Sequence, residues 1–464
     1  MTRLKRTMEE WFDSDQFTWP EIRRMFLTLL MDQAFIYVIS VLSTMLVSRV
    51  GEAAMAAVSL VATVNGLVSL VFSALATGGG IVVSRAKGRG DVAEIQRAIG
   101  EVTGFCFITA LVLSTGMYAA ADAIVRLLYP DVEPLVTEYA VSYMRMMCIS
   151  FIPFSVFNAI FNIFRNLGDT RSSLFLTIVI NAAHLCFSLL FINVLGMGVD
   201  GSGLSYIVAR VIGMVLALIW MLKVHNTYGV RVAWFFHFSR RVTRELFQLG
   251  MPLAVESMLL QGGMLLVNIY LARLNTMDMA AHARANSILN LYNASAGALT
   301  VMTGTICGQC FGAGKTDLMR RYGMNLIRVG RIVMVLTAVI LYPLTPLLLR
   351  LFDVPAESSG VIYICLAIAA AGLPLFGCDS NLTAMILRVA GDGVFTGFCA
   401  VSALALGRCV LGYVLTIPFG MGITGIWIAL VFEWAFRTVL QRVRMRGTKW
   451  IKKTGGPEPG APEE

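Results

Sequence analysis

Three carboxylates interrupt long apolar stretches of this 464-residue chain: Asp32, Glu256 and Asp379. A charge at bilayer depth costs from about 3 to more than 10 kcal/mol depending on how the cost is assessed, so each one kept there is a candidate for function. The chemistry open to them is narrow. A carboxylate in a partly dry setting binds its proton more tightly and exchanges it nearer neutral pH; when ionised it accepts Na⁺ beside carbonyl and amide oxygens, or an organic cation. The competing reading for Asp32 and Glu256 is a charge near a helix end that caps it or snorkels into the headgroups. Glu101, Glu138 and Glu433 are set apart because they fall within about a turn of the ends of their stretches.

Gln33, Ser43, Asn158, Asn162, Asn181, Asn268 and Asn381 are expected to line a cavity with these carboxylates. For Asn158 and Asn381 interhelical hydrogen bonding, worth about 1 kcal/mol, is the first reading. His184 and Arg408 add cationic or neutral nitrogen to the same set.

The elements that must position these groups are helices in lipid. The chain is 57% hydrophobic and 14% charged, with a mean hydropathy of +0.74. Roughly 25% charge is usual for a soluble protein, so a soluble enzyme, a disordered scaffold and a fibre are excluded. Nine cysteines, mostly inside apolar runs, imply no disulfide framework. A net charge of +9 spread over short loops makes no continuous basic face, so no nucleic-acid partner is expected.

A spanning helix needs about 20 apolar residues. Twelve stretches qualify: 25–48, 53–83, 98–121, 135–162, 172–195, 202–222, 247–272, 281–307, 332–350, 361–386, 395–418 and 422–436. With both ends on one side, 29 of the 37 Lys and Arg residues fall on that side, which the positive-inside rule assigns to the cytoplasm. The expected fold is therefore an all-α polytopic membrane protein. It divides into an N-terminal cytoplasmic segment (1–24), a six-helix lobe (25–222), a cytoplasmic linker (223–246), a second six-helix lobe (247–436) and a basic, then disordered tail (437–464).

The chain is duplicated. At an offset of 224, Asp32 falls on Glu256, Arg49 on Arg273, Met55-Ala56-Ala57 on Met279-Ala280-Ala281, Gly88 and Gly90 on Gly312 and Gly314, and His184 on Arg408. At 223, Asn158-x6-Arg165-x2-Gly168-Asp169 falls on Asn381-x6-Arg388-x2-Gly391-Asp392. Six spans per copy is an even number, so the halves run parallel and are related by an axis along the membrane normal, with a substrate cavity near the midplane between them.

The ordered motifs resemble the multidrug and toxic compound extrusion family of secondary transporters. They are Gly51 with Ala53-Ala54, the GRGD and GAGK turns, FRNLGDTRS at 164–172, LRVAGD at 387–392, Pro252 and the closing GIWIALVFEW. The resemblance implies two six-helix lobes around a central cavity, and export of organic cations against inward H⁺ or Na⁺. Where many members carry an acid late in span 1, this chain has Ser43, and Asp32, three helical turns nearer the cytoplasm on the same face, is the expected substitute.

The expected function is thus an ion-coupled antiporter of the cytoplasmic membrane, acting as a monomer on small-molecule cargo, with no metal and no cofactor beyond the coupling ion, H⁺ or Na⁺. The rival from the same superfamily is a flippase for lipid-linked saccharides, whose anionic cargo would want arginines such as Arg145, Arg284 and Arg408. A membrane enzyme would need a clustered acid–base or metal set that four scattered histidines do not offer. GAGKT at 312–316 lacks the first glycine of a phosphate-binding loop, Cys307 and Cys310 lack a second metal-binding pair, and the GGG at 78–80 reads as close helix packing.

Overall fold

The computed structural model describes residues 8–47, 52–128, 130, 133–274, 276–351, 356–447 and 450–451. The side chains at 38–47, 52–57, 59, 199, 276, 351, 356 and 357 fall outside that description, Ser43 among them. Helices dominate, and no strand occurs among the described residues. The long ones are α1 (Trp19–Val47), α2 (Glu52–Arg89), α3 (Val92–Ala119), α4 (Pro134–Asn166), α5 (Thr170–Ser188), α6 (Gly198–Ile219), α7 (Arg240–Leu271), α8 (Thr276–Gly312) and α9 (Thr316–Leu341). In α10, Ala356–Gly372 and Cys378–Val389 are joined by a π turn; α11 runs from Gly393 to Thr416 around a second π turn, Leu404–Leu411; α12 is Gly422–Arg446. Ten helices among the described residues are long and apolar enough to cross a membrane.

The turns repeat as the sequence does. Of nine glycines with positive φ among the described residues, eight form four equivalent pairs: Gly90 and Gly314, Gly168 and Gly391, Gly196 and Gly420, Gly198 and Gly422. Only glycine takes such angles without strain, so both copies turn at the same points for the same reason. Helix contacts repeat too. Within the copies α1 packs on α5 as α7 packs on α11; between them α2 packs on α7 as α8 packs on α1.

Three expectations need correction. The ninth stretch is helical from Thr316 and stops at Leu341, because Pro343 cannot continue it, and a short separate helix, Thr345–Leu351, follows; Arg320, Arg321, Arg328 and Arg331, expected in a loop, are helical. The linker is packed structure: a short 3₁₀ turn, Val232–Phe236, lies so close to α3 that a Cβ on Gly100 or Gly104 would collide with Trp234 or Phe235, and α7 begins at Arg240 under a Ser239 cap. The last helix continues ten residues past 436 to Arg446, and Trp450 beyond it is fully buried. Residues 452–464 of the expected disordered tail lie outside the described residues.

The copies meet in a crossed contact near the ends of α2 and α8. Here α2 and α8 approach so closely that a Cβ on Gly88 would run into the Gln309 carbonyl, and one on Gly312 into the carbonyl of Arg85. Residues 85 and 309 are themselves equivalent, so the contact is reciprocal. A Cβ on Gly78 would likewise come within 2.8 Å of Gly250 Cα, which gives part of the GGG run its packing role.

Candidate functional site

The site begins where each copy's first helix meets its fourth. Asp32 on α1 is fully buried and forms an ion pair through Oδ2 with Nη2 of Arg165, which lies in the last turn of α4 and is itself buried. The guanidinium lies 4.1 Å over the ring of Phe161. In the second copy Glu256 on α7 accepts from Arg388 Nη2 at 2.6 and 2.7 Å through its two oxygens, and Arg388 Nε donates to Thr396 Oγ1 on α11 at 3.3 Å. These are one arrangement built twice. Neither carboxylate snorkels; Glu256 is 6% exposed.

The copies differ in finish. In the first, Asp32 Oδ1 and Arg165 Nε are buried and carry no hydrogen bond. A buried carboxylate oxygen left bare is costly, which makes it a natural place for a proton or small cation. In the second, Arg388 is 18% exposed and Glu256 floors a groove of about 550 Å³ between α7 and α11, walled by Phe247, Met251, Val255, Leu259 and Phe398. An apolar trough with one acid at its base fits a greasy cation.

Asp379 belongs to a different place. It is nine residues from Arg388, about half a turn out of phase, so it leaves the opposite face of α10. There it accepts from Arg331 Nε and Nη2 at 3.1 and 2.6 Å and pairs with Arg442 of α12. Two guanidiniums around one buried acid knit α9, α10 and α12 together.

The amides divide by role. Asn158 donates to Ser73 Oγ on α2 at 2.9 Å, Asn162 to the Asn158 carbonyl and side chain at 2.9 and 3.0 Å, and Asn166 to the Asn162 carbonyl at 2.9 Å. This ladder runs down α4 to Asn166, the neighbour of Arg165. Asn381 accepts from Arg437 at 2.8 Å, Asn181 bonds back to its own helix at Thr177, and Asn268 is exposed on α7. Gln33 stands at the α1–α8 junction, where a Cβ on Gly297 would come 3.3 Å from its Oε1. His184 packs on Tyr206, 4.2 Å between rings.

Glu433, set aside as terminal, is buried because α12 is longer than expected; its Oε2 lies 2.6 Å from Arg408 Nε, a charge contact without hydrogen-bond alignment. Arg408 sits on the α11 π turn, where the widened spiral turns it toward α12. A cavity of about 970 Å³ lies elsewhere: Asp122, Arg126, Glu138 and Arg145 line it at the ends of α3 and α4. Among the described residues no cluster of His, Cys, Asp and Glu suited to a metal occurs.

A family model, MatE, matches this chain twice, over residues 29–190 and 252–414. The two matches are displaced by the same 223 to 224 residues as the repeat, and together they cover most of the chain. The chain belongs to the MATE family.

It is accordingly a transporter of the membrane, multi-pass and of the efflux class. Among curated proteins it is 23% identical over 461 residues to the uncharacterized transporter YisQ of Bacillus subtilis, covering 97% of this chain and 98% of that one. It is 21% identical over 413 residues to the probable multidrug resistance protein NorM of Thermotoga maritima, 86% of each chain. A solved outward-facing multidrug resistance MATE transporter superposes with a TM-score of 0.84 at 18% identity, over 95% of this chain and 97% of that one. Such a likeness speaks for the fold.

Proposed function

We propose that this MATE transporter is an antiporter that exports amphipathic, cationic small molecules in exchange for H⁺ or Na⁺, with Asp32 and Glu256 as the exchange sites. The observation that carries the reading is Glu256 at the base of an apolar groove, neutralised by an arginine that an incoming cation can replace. Proton or Na⁺ and an organic cation then compete for the same negative charge, and competition joined to alternating access is antiport. A tenfold proton gradient supplies about 1.4 kcal/mol and 100 mV about 2.3 kcal/mol per charge, together enough for roughly 500-fold accumulation.

On this reading twelve spans form two six-helix lobes around a central cavity, in the cytoplasmic membrane, with both termini inside and the chain working as a monomer. The crossed α2–α8 end is then cytoplasmic and the cavity opens outward. Asp379 serves the packing of the second lobe; Gln33, Asn158 and Asn162 serve the cavity. A saccharide-lipid flippase is less favoured because Arg408, which would have received an anionic cargo, is already neutralised by Glu433. Ethidium efflux from cells decides the matter. An uncoupler should abolish it, or added Na⁺ should sustain it in the uncoupler's presence; efflux indifferent to both ions overturns the proposal.

A further inference from the structure

Arg165 and Arg388 are held from two sides. Their side chains bind the acid of their own copy, while the main chain at the same point is gripped by the other copy. The Arg165 carbonyl accepts from Thr305 Oγ1 of α8 at 3.0 Å, and the next carbonyl, that of Asn166, accepts from Gln309 Nε2 at 3.1 Å. Across the repeat axis the Val389 carbonyl, next after Arg388, accepts from Arg85 Nε and Nη2 of α2 at 3.1 and 2.6 Å. Arg85 is steadied in turn by Glu245 at 2.9 Å. Residues 85 and 309 are also the two whose carbonyls the crossing glycines Gly312 and Gly88 lie against. Acid, arginine, helix end and crossing therefore form one continuous chain of contacts, twice over.

We propose that Arg165 and Arg388 are positioning residues that convert occupancy of the two carboxylates into release of the crossed end. This rests on the reading that those carboxylates take the coupling ion. When a proton from water attaches to the carboxylate, or a cation takes the arginine's place, the guanidinium keeps its charge and loses its counter-ion in a dry setting. A buried charge without its partner is strongly disfavoured, so the arginine leaves and carries the gripped carbonyls with it. The helix end that α8 or α2 holds is displaced, and the crossing loosens. Asp32 faces Arg165; Glu256 faces Arg388 from α10, Arg437 from α12 and Cys399 from α11. Being less exposed, the first copy is the tighter trigger.

Hydrogen–deuterium exchange on the full-length protein in lipid nanodiscs, without cargo, tests this. Relative to the parent, the Asp32→Asn/Glu256→Gln protein should exchange at least tenfold faster in peptides covering 84–90 and 305–314, with the peptides of α5 and α6 unchanged as a check on folding. Arg165→Gln with Arg388→Gln should show the same rise and lose its response to pH and Na⁺, and Arg165→Lys with Arg388→Lys should restore both slow exchange and that response. Thr305→Val with Gln309→Met, which frees the helix end and leaves the ion pairs, should also raise exchange at the crossing. Parent-like exchange in the neutral-acid protein overturns the inference even if efflux is lost; faster exchange with efflux intact supports it and overturns the proposed exchange sites instead.

Discussion

A lone carboxylate and a lone guanidinium are each disfavoured in a membrane interior, and removing one member of a buried pair typically costs about 3–5 kcal/mol because the other is left bare. Asp32→Asn should therefore lower the thermal stability of the detergent-purified protein, and adding Arg165→Met should recover most of the loss without recovering transport. A ligand-independent melt beside an efflux assay checks both halves; stability unaffected by Asp32→Asn would mean that the pair is not buried as described. The acids were legible in the sequence, since a charge in an apolar run announces itself. Their partners were not, although Arg165 and Arg388 stood in a matched repeat motif, because each lies more than 130 residues from its acid and only tertiary packing joins them. Glu433 was missed because Arg437, Arg442, Arg444 and Arg446 read as the end of a span, whereas buried acids allow the helix to carry them onward: Asp379 meets Arg442, and Asp392 meets Arg444 at 2.8 Å.

Helix crossings depend on a few small residues. Gly88→Ala should prevent closure of the α2–α8 end, whereas Gly66→Ala, in the same helix with nothing within 4 Å, should be neutral or stabilising by up to about 1 kcal/mol. Exchange at 305–314 separates the two; equal behaviour would deny the crossing. The segment 8–18 is a second closing element, unforeseen because its charges read only as a cytoplasmic leader. It lies across α9: Tyr322 donates to the Phe12 carbonyl at 2.7 Å, Asn325 to that of Trp11 at 2.9 Å, Phe12 is fully buried, and Lys315 pairs with Asp15. Tyr322→Phe should weaken this strap by about 1 kcal/mol, seen as faster proteolysis of the N-terminal segment. The lysine holds the Asp15 carboxyl below its ordinary value. A depressed carboxylate stabilises the attached strap above its free pKa of about 4, and that contribution fades as pH falls through the lowered value. Asp15→Asn should accordingly speed proteolysis at pH 7 and make little difference near pH 3; equal protection at pH 7 would contradict the pair.

At the level of the whole molecule, the repeat set most of the architecture in advance: the same helices, turns and glycines appear in each copy because each must solve the same packing problem. What the repeat could not reveal is where the copies diverge. Asp32 is sealed with one bare oxygen, while Glu256 opens to an apolar groove, so on the proposed reading both acids exchange cations but unequally, ion coupling weighing more on the first and organic-cation affinity more on the second. The most direct test is ethidium transport by the purified protein in sealed liposomes, with pH and Na⁺ gradients imposed separately, for the parent, Asp32→Asn and Glu256→Gln. The parent should transport ethidium against its gradient under at least one ion gradient, Asp32→Asn should lose the gradient's effect, and Glu256→Gln should lose ethidium affinity by at least tenfold. Full gradient-driven transport by both neutral variants would contradict the account.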